Sequence, residues 1–382
     1  MRNDGHLHIV TFNVPLPANY GGVIDVFYRL KALAEAGVRV HLHCFDYGRG
    51  PAPELERWCE EVRYYRRDMS PLRMLDRRPF IVSSRHSREL TARLMQDRYP
   101  ILLEGLHCCL LLEDEALTRD RMVMVRAHNI EADYYGQLAA AERRLGKRLY
   151  LKLEARKIRR YEPILRRASA VLAISPADQK ELVRMGCRNV LLSTGMHPFG
   201  EVGGRRYEVG GRRSEVGERF ALYHGNLAVA ENYHAVEYLL DKVFKGSEHR
   251  LVVAGNEPPA WLRERIDAMP NVELVGSPDD GTMQRLVEEA HVCVMVTGQA
   301  TGLKLKLLNS LYAGRFCLVN SAMVAGTGLE GLCTVADSPE AMRAALDSLM
   351  AQEFTAEHLA QRRVALQPFS PQEAVRPILS LL

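Results

Sequence analysis

No stretch of the 382 residues approaches the roughly 20 uninterrupted apolar residues that a membrane span requires, because charge or glycine breaks each apolar run within a few positions. The start, MRNDGHLHIVTF, lacks the apolar core of a secretion signal; it sets Asp4 and two histidines around a short strand-like run and reads as the direct start of a fold. Only 28 glycines and 18 prolines are present, too few for collagen-like or low-complexity chains. The eight cysteines (Cys44, Cys59, Cys108, Cys109, Cys187, Cys293, Cys317 and Cys333) show no CxxC and no paired spacing, and several sit in apolar runs such as HVCVMV and RFCLV. They read as buried, reduced thiols of a cytoplasmic protein, against a metal or redox site. Net charge is also scarce. At +4 the chain is too balanced for one whose main business is coating nucleic acid.

What is present predicts a soluble globular protein of two or three domains at roughly 150 residues each. The small net charge hides an asymmetry. Met1 to Leu192 holds 33 basic and 24 acidic residues, net +9, whereas Glu218 to Leu382 holds 14 basic and 20 acidic, net −6. Between them a tandem heptapeptide, EVGGRRY at 201–207 and EVGGRRS at 208–214, followed by EVG, has no apolar face to bury and reads as a solvated linker. Apolar runs at 7–12, 38–44, 101–104, 121–127, 170–174 and 190–192 alternate with helical periodicities before the linker. Runs at 219–223, 250–254, 272–275, 292–296 and 316–319 do so after it. The pattern predicts an α/β protein of two doubly wound domains with a cleft between them: 1–195, a linker at 196–217, and 218–354. Helical patterns at 355–382 are expected to pack back on the first domain.

Ligands of doubly wound sheets bind beyond the carboxyl ends of the strands. After the first strand, Gly21 and Gly22 open a helix with bare amides and a positive helix end, which suits an anion and equally suits a plain helix start. Neither GxGxxG nor a Walker loop occurs. After the run at 292–296 comes TGQATGLKLKLLNSLYAGRF, where Gly302 marks the turn and leucines give the helix a buried face. Lys304 and Lys306 fall in the first turn, where the helix dipole disfavours cations, so an anion should compensate. Two lysines and free amides at that place fit a diphosphate. Asp279 and Asp280 in GSPDDG are adjacent, not spaced as a DxD, and read as a helix cap and not a metal site.

This segment resembles the donor-site helix of GT-B glycosyltransferases, particularly the large retaining family 4 group. The resemblance continues in order through the Gly-Gly loop, VRAHNIEADYY at 125–135, LYHGNLAVAENYHAVEYL, LVVAGNEPP and NVELVGSPDD, and covers nearly the whole chain apart from the repeat. It implies that Gly22 faces the donor phosphate and that His128 lies near the transferred sugar and acceptor, with Asn129 and Glu131 on the acceptor side. The alternative for His128 is a packed or capping histidine. Gly225 and Asn226 fall in the loop that approaches the diphosphate; Asn256 and Gly276 fall where base and ribose are expected, and can equally be ordinary turn residues. Thr301, Gly302, Leu303 and Asn309 complete the donor side.

Two departures stand out. The arginine and lysine that most family members carry near the diphosphate are absent, with Asn226 and Glu231 around those places, which leaves Lys304 and Lys306 to meet the phosphate charge. The acidic pair that many members set eight positions apart is replaced by Thr301 and Asn309, and an Asn carbonyl can still accept ribose hydroxyls without charge. The resemblance implies a metal-independent, retaining transfer from a nucleotide-diphosphate sugar, with no cofactor, to a glycan or glycolipid acceptor in surface polysaccharide or lipopolysaccharide synthesis. Rival readings are a nucleotide-sugar epimerase, for which no acid-base carboxylates are evident, and a non-catalytic or altered-donor partner in a polysaccharide-assembly complex. Two basic stretches, 142–167 with 11 basic and 3 acidic residues and 63–98 with 10 and 4, fit either a solvated helix face or peripheral contact with an anionic membrane on its cytoplasmic side.

Overall fold

Apolar runs bounded by charge become parallel strands buried on both faces, and the amphipathic segments between them become the covering helices. The computed structural model describes residues 5–19, 21–142, 144–198, 202–203, 219–298 and 304–382. The chain divides into two units, Met1–Pro198 with Pro368–Leu382, and Phe199–Gln367. Most of the repeat, together with Thr301, Gly302 and Leu303, lies outside the described residues.

The first unit holds seven strands: β1 (His6–Thr11), β2 (Arg39–Asp46), β3 (Glu61–Arg66), β4 (Ile101–Glu104), β5 (Val123–Ala127), β6 (Ala170–Ala173) and β7 (Val190–Leu192). They are all parallel, in the order β3-β2-β1-β4-β5-β6-β7. Successive residues of a strand serve opposite cores, as β4 shows: Ile101 and Leu103 pack with Val125, Ile158 and Leu182, while Leu102 packs with Leu30, Leu33 and Met124. The second core is completed by Ala374, Val375 and Ile378 of the Pro371–Leu379 helix, which is further held by Ser193 Oγ donating to the Ala374 carbonyl at 2.6 Å. β3 escaped the apolar-run reading because an edge strand is half solvated; EVRYYR spends its charges there.

The second unit holds β8 (Phe220–His224), β9 (Arg250–Gly255), β10 (Val272–Gly276), β11 (Val292–Met295), β12 (Phe316–Val319) and the two-residue β13 (Thr334–Val335), in the order β10-β9-β8-β11-β12-β13, again all parallel. A Cβ at Gly255 would stand 1.9 Å from the Gly225 carbonyl oxygen, so glycine is what lets the ends of β8 and β9 close together. Both sheets are thus doubly wound and Rossmann-like. All eight cysteines are free thiols. Burial pushes those of Cys44, Cys108 and Cys293 up to about 12, so they are inert hydrophobes at neutral pH. Among the described residues no helix is long and apolar enough to cross a membrane.

Candidate functional site

Beyond the carboxyl ends of β1, β4 and β5 the first unit gathers buried charge. Asp25 projects from the Gly21–Glu35 helix and accepts from Arg29 Nη2 at 2.8 and 3.0 Å, one turn on, from Arg126 Nε at 3.3 Å and from the Met196 amide at 2.6 Å. Burial alone would raise its carboxyl; Arg29, Arg126 and His128 outweigh it and hold the group ionised, well below the usual carboxylate range. Arg126 also donates to the Ser193 and Thr194 carbonyls at 2.6 and 3.2 Å, so the two guanidiniums bind β5 and the inner helix to the segment after β7.

His128 follows β5 with both ring nitrogens turned to carboxylates. Nε2 lies 2.8 Å from Glu104 Oε2, and Nδ1 lies 3.6 Å from Asp25 Oδ2. Glu104 keeps one oxygen, Oε1, buried without a hydrogen-bond partner, 3.8 Å from the equally unbonded Arg29 Nε. Asp25, Glu104 and His128 offer ligand atoms within 4.8 Å of one another. As a cation site the set fits poorly, because Arg29 and Arg126 already neutralise its carboxylates. Next along the chain, Asn129 bonds Glu131, which opens the Glu131–Ala141 helix. Burial first, then the Glu162 carboxylate, pushes the Glu131 carboxyl up to about 8. Glu162, which accepts from the Ala132 amide at 3.0 Å, is pushed up to about 7, mainly by its own burial. Gly21 and Gly22 start the 15-residue helix that carries Asp25.

In the second unit the corresponding edge is sparsely charged. The Leu305–Ala313 helix begins with Lys304 as its N-cap and no side-chain cap, so its first amides are unclaimed by a capping side chain. Lys306 Nζ donates to Asn232 Oδ1 at 3.0 Å and stands 5.2 Å from the centre of the Tyr223 ring. Burial lowers its ammonium to about 8, against the opposing pull of Glu231. Glu231 accepts from Thr297 Oγ1 at the end of β11. Three turns of chain converge here: His224 Nε2 meets Ser310 Oγ at 2.9 Å, Asn232 Nδ2 donates to the Asn226 carbonyl at 2.8 Å, and Tyr223 OH donates to Asn232 Oδ1 at 3.1 Å.

The structure brings Gly225, Asn226 and Lys306 together through Asn232, and leaves Asn256 and Gly276 exposed in the loops after β9 and at the end of β10. The Asn226 carboxamide accepts the Ala228 amide at 3.0 Å, which closes its own turn. Asn256 accepts the Leu227 amide at 2.9 Å through its main chain. Asn309 Oδ1 is buried with no hydrogen-bond partner among the described residues. Asp279 caps the Asp280–Glu289 helix, accepting the Thr282 amide at 2.7 Å. Sequence reading missed Asp25, Arg29, Glu104 and Arg126, although a charge ending an otherwise apolar strand, as in ILLE and VMVRA, marks such residues. It also missed Tyr223, Asn232 and His224, which carry no periodic signal.

Residues 20–196 match the family model described as Glycosyltransferase Family 4. Sucrose-phosphate synthase of Thermosynechococcus elongatus superimposes over 98% of this chain and 94% of its own, with a TM-score of 0.63 at 17% identity. Anabaena HepE in complex with UDP and glucose does so over 99% and 100%, with 0.63 at 12%. The chain has the GT-B fold and resembles the family 4 glycosyltransferases. A Klebsiella pneumoniae protein described as an uncharacterized 44.6 kDa protein in the cps region is 25% identical over 338 residues, 84% of each chain. Within this GT-B protein the charged cluster around Asp25 belongs to the segment that matches the family model, and the lysine helix lies outside it.

Proposed function

We propose that this GT-B protein is a glycosyltransferase that moves a sugar, of the hexose class, from a nucleotide-diphosphate sugar to a glycan or glycolipid acceptor in surface-polysaccharide synthesis. The observation that carries the donor side is Asn309: a buried carbonyl oxygen without a donor among the described residues, five residues past the lysine helix's cap, suits a ribose hydroxyl. Lys304, Lys306 and the open helix amides would meet the diphosphate as the glycosidic bond breaks and negative charge grows on the leaving group. Gly225 and Asn226 would border that diphosphate, with Thr301, Gly302 and Leu303 on its other side; Asn256 and Gly276 would border the nucleoside. In this reading phosphate charge is met by lysines, not by a divalent ion, and the outcome is retention, as the family resemblance suggests. Gly21 and Gly22 would meet a phosphate of the donor at the start of their helix. His128 would act through a ring fixed by Glu104, with Asn129 and Glu131 toward the acceptor. The cps-region relative supports the polysaccharide role.

The first unit also offers a surface for an anionic bilayer on the cytoplasmic side. On the Leu145–Tyr161 helix, Leu145, Leu149 and Leu153 recur every fourth residue at 80, 59 and 47% exposure, flanked by exposed Lys147, Arg148, Lys152 and Arg156. The next residue of the stripe, Lys157, donates to the Met74 carbonyl at 2.6 Å, which joins it to a second apolar patch with Leu72 and Leu75 at 75 and 82% exposure. Exposed leucines beside cations are costly in water and favourable at a lipid headgroup layer.

A thermal-shift screen of UDP-, GDP-, CMP- and dTDP-linked sugars tests the reading, since a ligand at 100 times its dissociation constant stabilises the fold by about 2.7 kcal/mol. One nucleotide class should shift the melting temperature and its sugar nucleotide should be slowly hydrolysed without acceptor. No shift and no hydrolysis with any of them would overturn it. Vesicle co-sedimentation that falls with salt and with Leu149→Gln is the expected membrane result; salt-independent or absent binding would remove that part.

A further inference from the structure

Two arginines at the carboxyl edge of the first unit's sheet are buried without an ion-paired carboxylate among the described residues; Glu131 acts on Arg85 electrostatically but forms no ion pair with it. Arg67, the residue after β3, is 8% exposed; its Nε donates to Ser84 Oγ at 2.9 Å and its guanidinium lies over the rings of Tyr47 and Phe80, at 4.6 and 5.3 Å. Arg85, 4% exposed, donates to the Phe12 carbonyl at 3.0 and 2.9 Å and to the Ile81 carbonyl at 2.5 Å, and stands 5.9 Å from the same Tyr47 ring. Among the described residues neither forms an ion pair with a carboxylate. The contrast with Arg29 and Arg126, each beside Asp25, is direct.

Desolvated guanidiniums are costly unless something negative meets them, and buried charges in folded chains are normally paired. Burial, followed by the neighbouring Arg67, lowers the Arg85 guanidinium to about 10. His107 adds a buried Nδ1 with no hydrogen-bond partner, on a ring that burial and Arg85 keep neutral. Arg67 borders a cavity of about 1070 Å³, with Tyr47, Tyr64, Tyr65 and Arg66 also on its wall. The two carboxylates on that wall are engaged elsewhere: Asp46 accepts the amides of Gly48, Arg49 and Gly50, and Asp68 holds Arg73 at 2.7 Å.

We propose that this cavity binds a phosphoryl group of the acceptor, with Arg67 donating to its oxygens and Arg85 supplying charge behind it. The inference rests on the glycosyltransferase reading and narrows its acceptor to phosphorylated molecules. Arg66 and Arg67 on one wall favour a dianion over a single carboxylate, and the planar fork of Arg67 suits two oxygens at once. Met69 and Ser70 line the cavity, and the exposed Leu72 comes two residues later, so a phosphate carried on a lipid and one on a soluble sugar can both reach it.

The test titrates the full chain calorimetrically with glucose 1-phosphate, with glucose as the neutral control, in wild type, Arg67→Gln and Lys306→Gln. The expected result is binding of the phosphate alone, weakened about tenfold or more by Arg67→Gln and little by Lys306→Gln. If Arg67→Gln does not fold, as judged by its circular dichroism, Arg67→Lys is read instead, with an expected loss of about threefold because charge stays and the fork goes. A second arm compares vesicles holding phosphatidic acid with vesicles of phosphatidylglycerol at matched charge. Loss confined to phosphatidic acid vesicles assigns a lipid-borne phosphate, and loss with glucose 1-phosphate assigns a soluble one. Unchanged affinity in both arms, or a loss that follows Lys306 and not Arg67, overturns the proposal. UDP titration of the same wild-type sample separates the failures: if UDP binds and phosphate shows no Arg67 dependence, only this inference falls.

Discussion

The carboxyl edges of the two sheets are furnished in opposite ways. In the first unit Asp25, Arg29, Glu104, Arg126 and His128 are packed into one buried, mutually neutralising cluster, whose two atoms without a hydrogen bond, Arg29 Nε and Glu104 Oε1, carry opposite charge and face each other at 3.8 Å. In the second unit Lys306 leans on a neutral Asn and a ring face, Glu231 opposes its charge, and Asn309 keeps an acceptor unfilled among the described residues. A self-satisfied cluster stiffens a scaffold, whereas unfilled groups await a ligand. On the proposed function, much of the first unit's charge serves architecture and the second unit's little charge serves binding.

Breaking the cluster should have the largest effect. Asp25→Asn strands two buried guanidiniums and should cost about 3–5 kcal/mol in denaturant unfolding; a cost below about 1 kcal/mol would mean that the cluster is not structural. Next comes Glu131, whose carboxyl rises from 4.5 to about 8 on folding. Its neutral form is the one the fold favours, so its stability contribution is complete below pH 4.5 and is lost as pH rises toward 8. Glu131→Gln should therefore gain on wild type across that window, by on the order of 3 kcal/mol at pH 8 and by little at pH 4. Equal melting curves at both pH values would contradict the burial argument. The histidines run the other way: burial lowers His8 to about 4, so its contribution is lost as pH falls from 6.5 to 4. The smallest change is expected at Glu231. Removing its charge with Glu231→Gln should tighten nucleotide diphosphate binding about fivefold, or roughly 1 kcal/mol; weaker binding would mean that Glu231 contacts the ligand itself.

Much of this contrast was legible beforehand. Strand-forming runs announce themselves because a parallel strand buried on both faces must be apolar nearly throughout, and the lysine helix announces itself because cations at a helix start violate the dipole. β3 was not legible, since EVRYYR on a solvated edge carries no apolar run. Nor was the clustering of Asp25 with Arg126, because their pairing depends on a helix and a strand a hundred residues apart meeting over the sheet. At Asn226 the loop position was legible, whereas the turn that its side chain closes with the Ala228 amide was not.

The central claim is that the second unit's edge is a nucleotide diphosphate site in which Lys306, with Lys304 and the helix amides, meets the phosphates. Calorimetric titration of the full chain with UDP, and with whichever diphosphate the sugar-nucleotide screen selects, compares wild type with Lys306→Ala most directly. The account predicts a loss of about tenfold or more, as expected for removing a charge-assisted phosphate contact, with the protein's fold retained. Wild-type affinity in Lys306→Ala would contradict it.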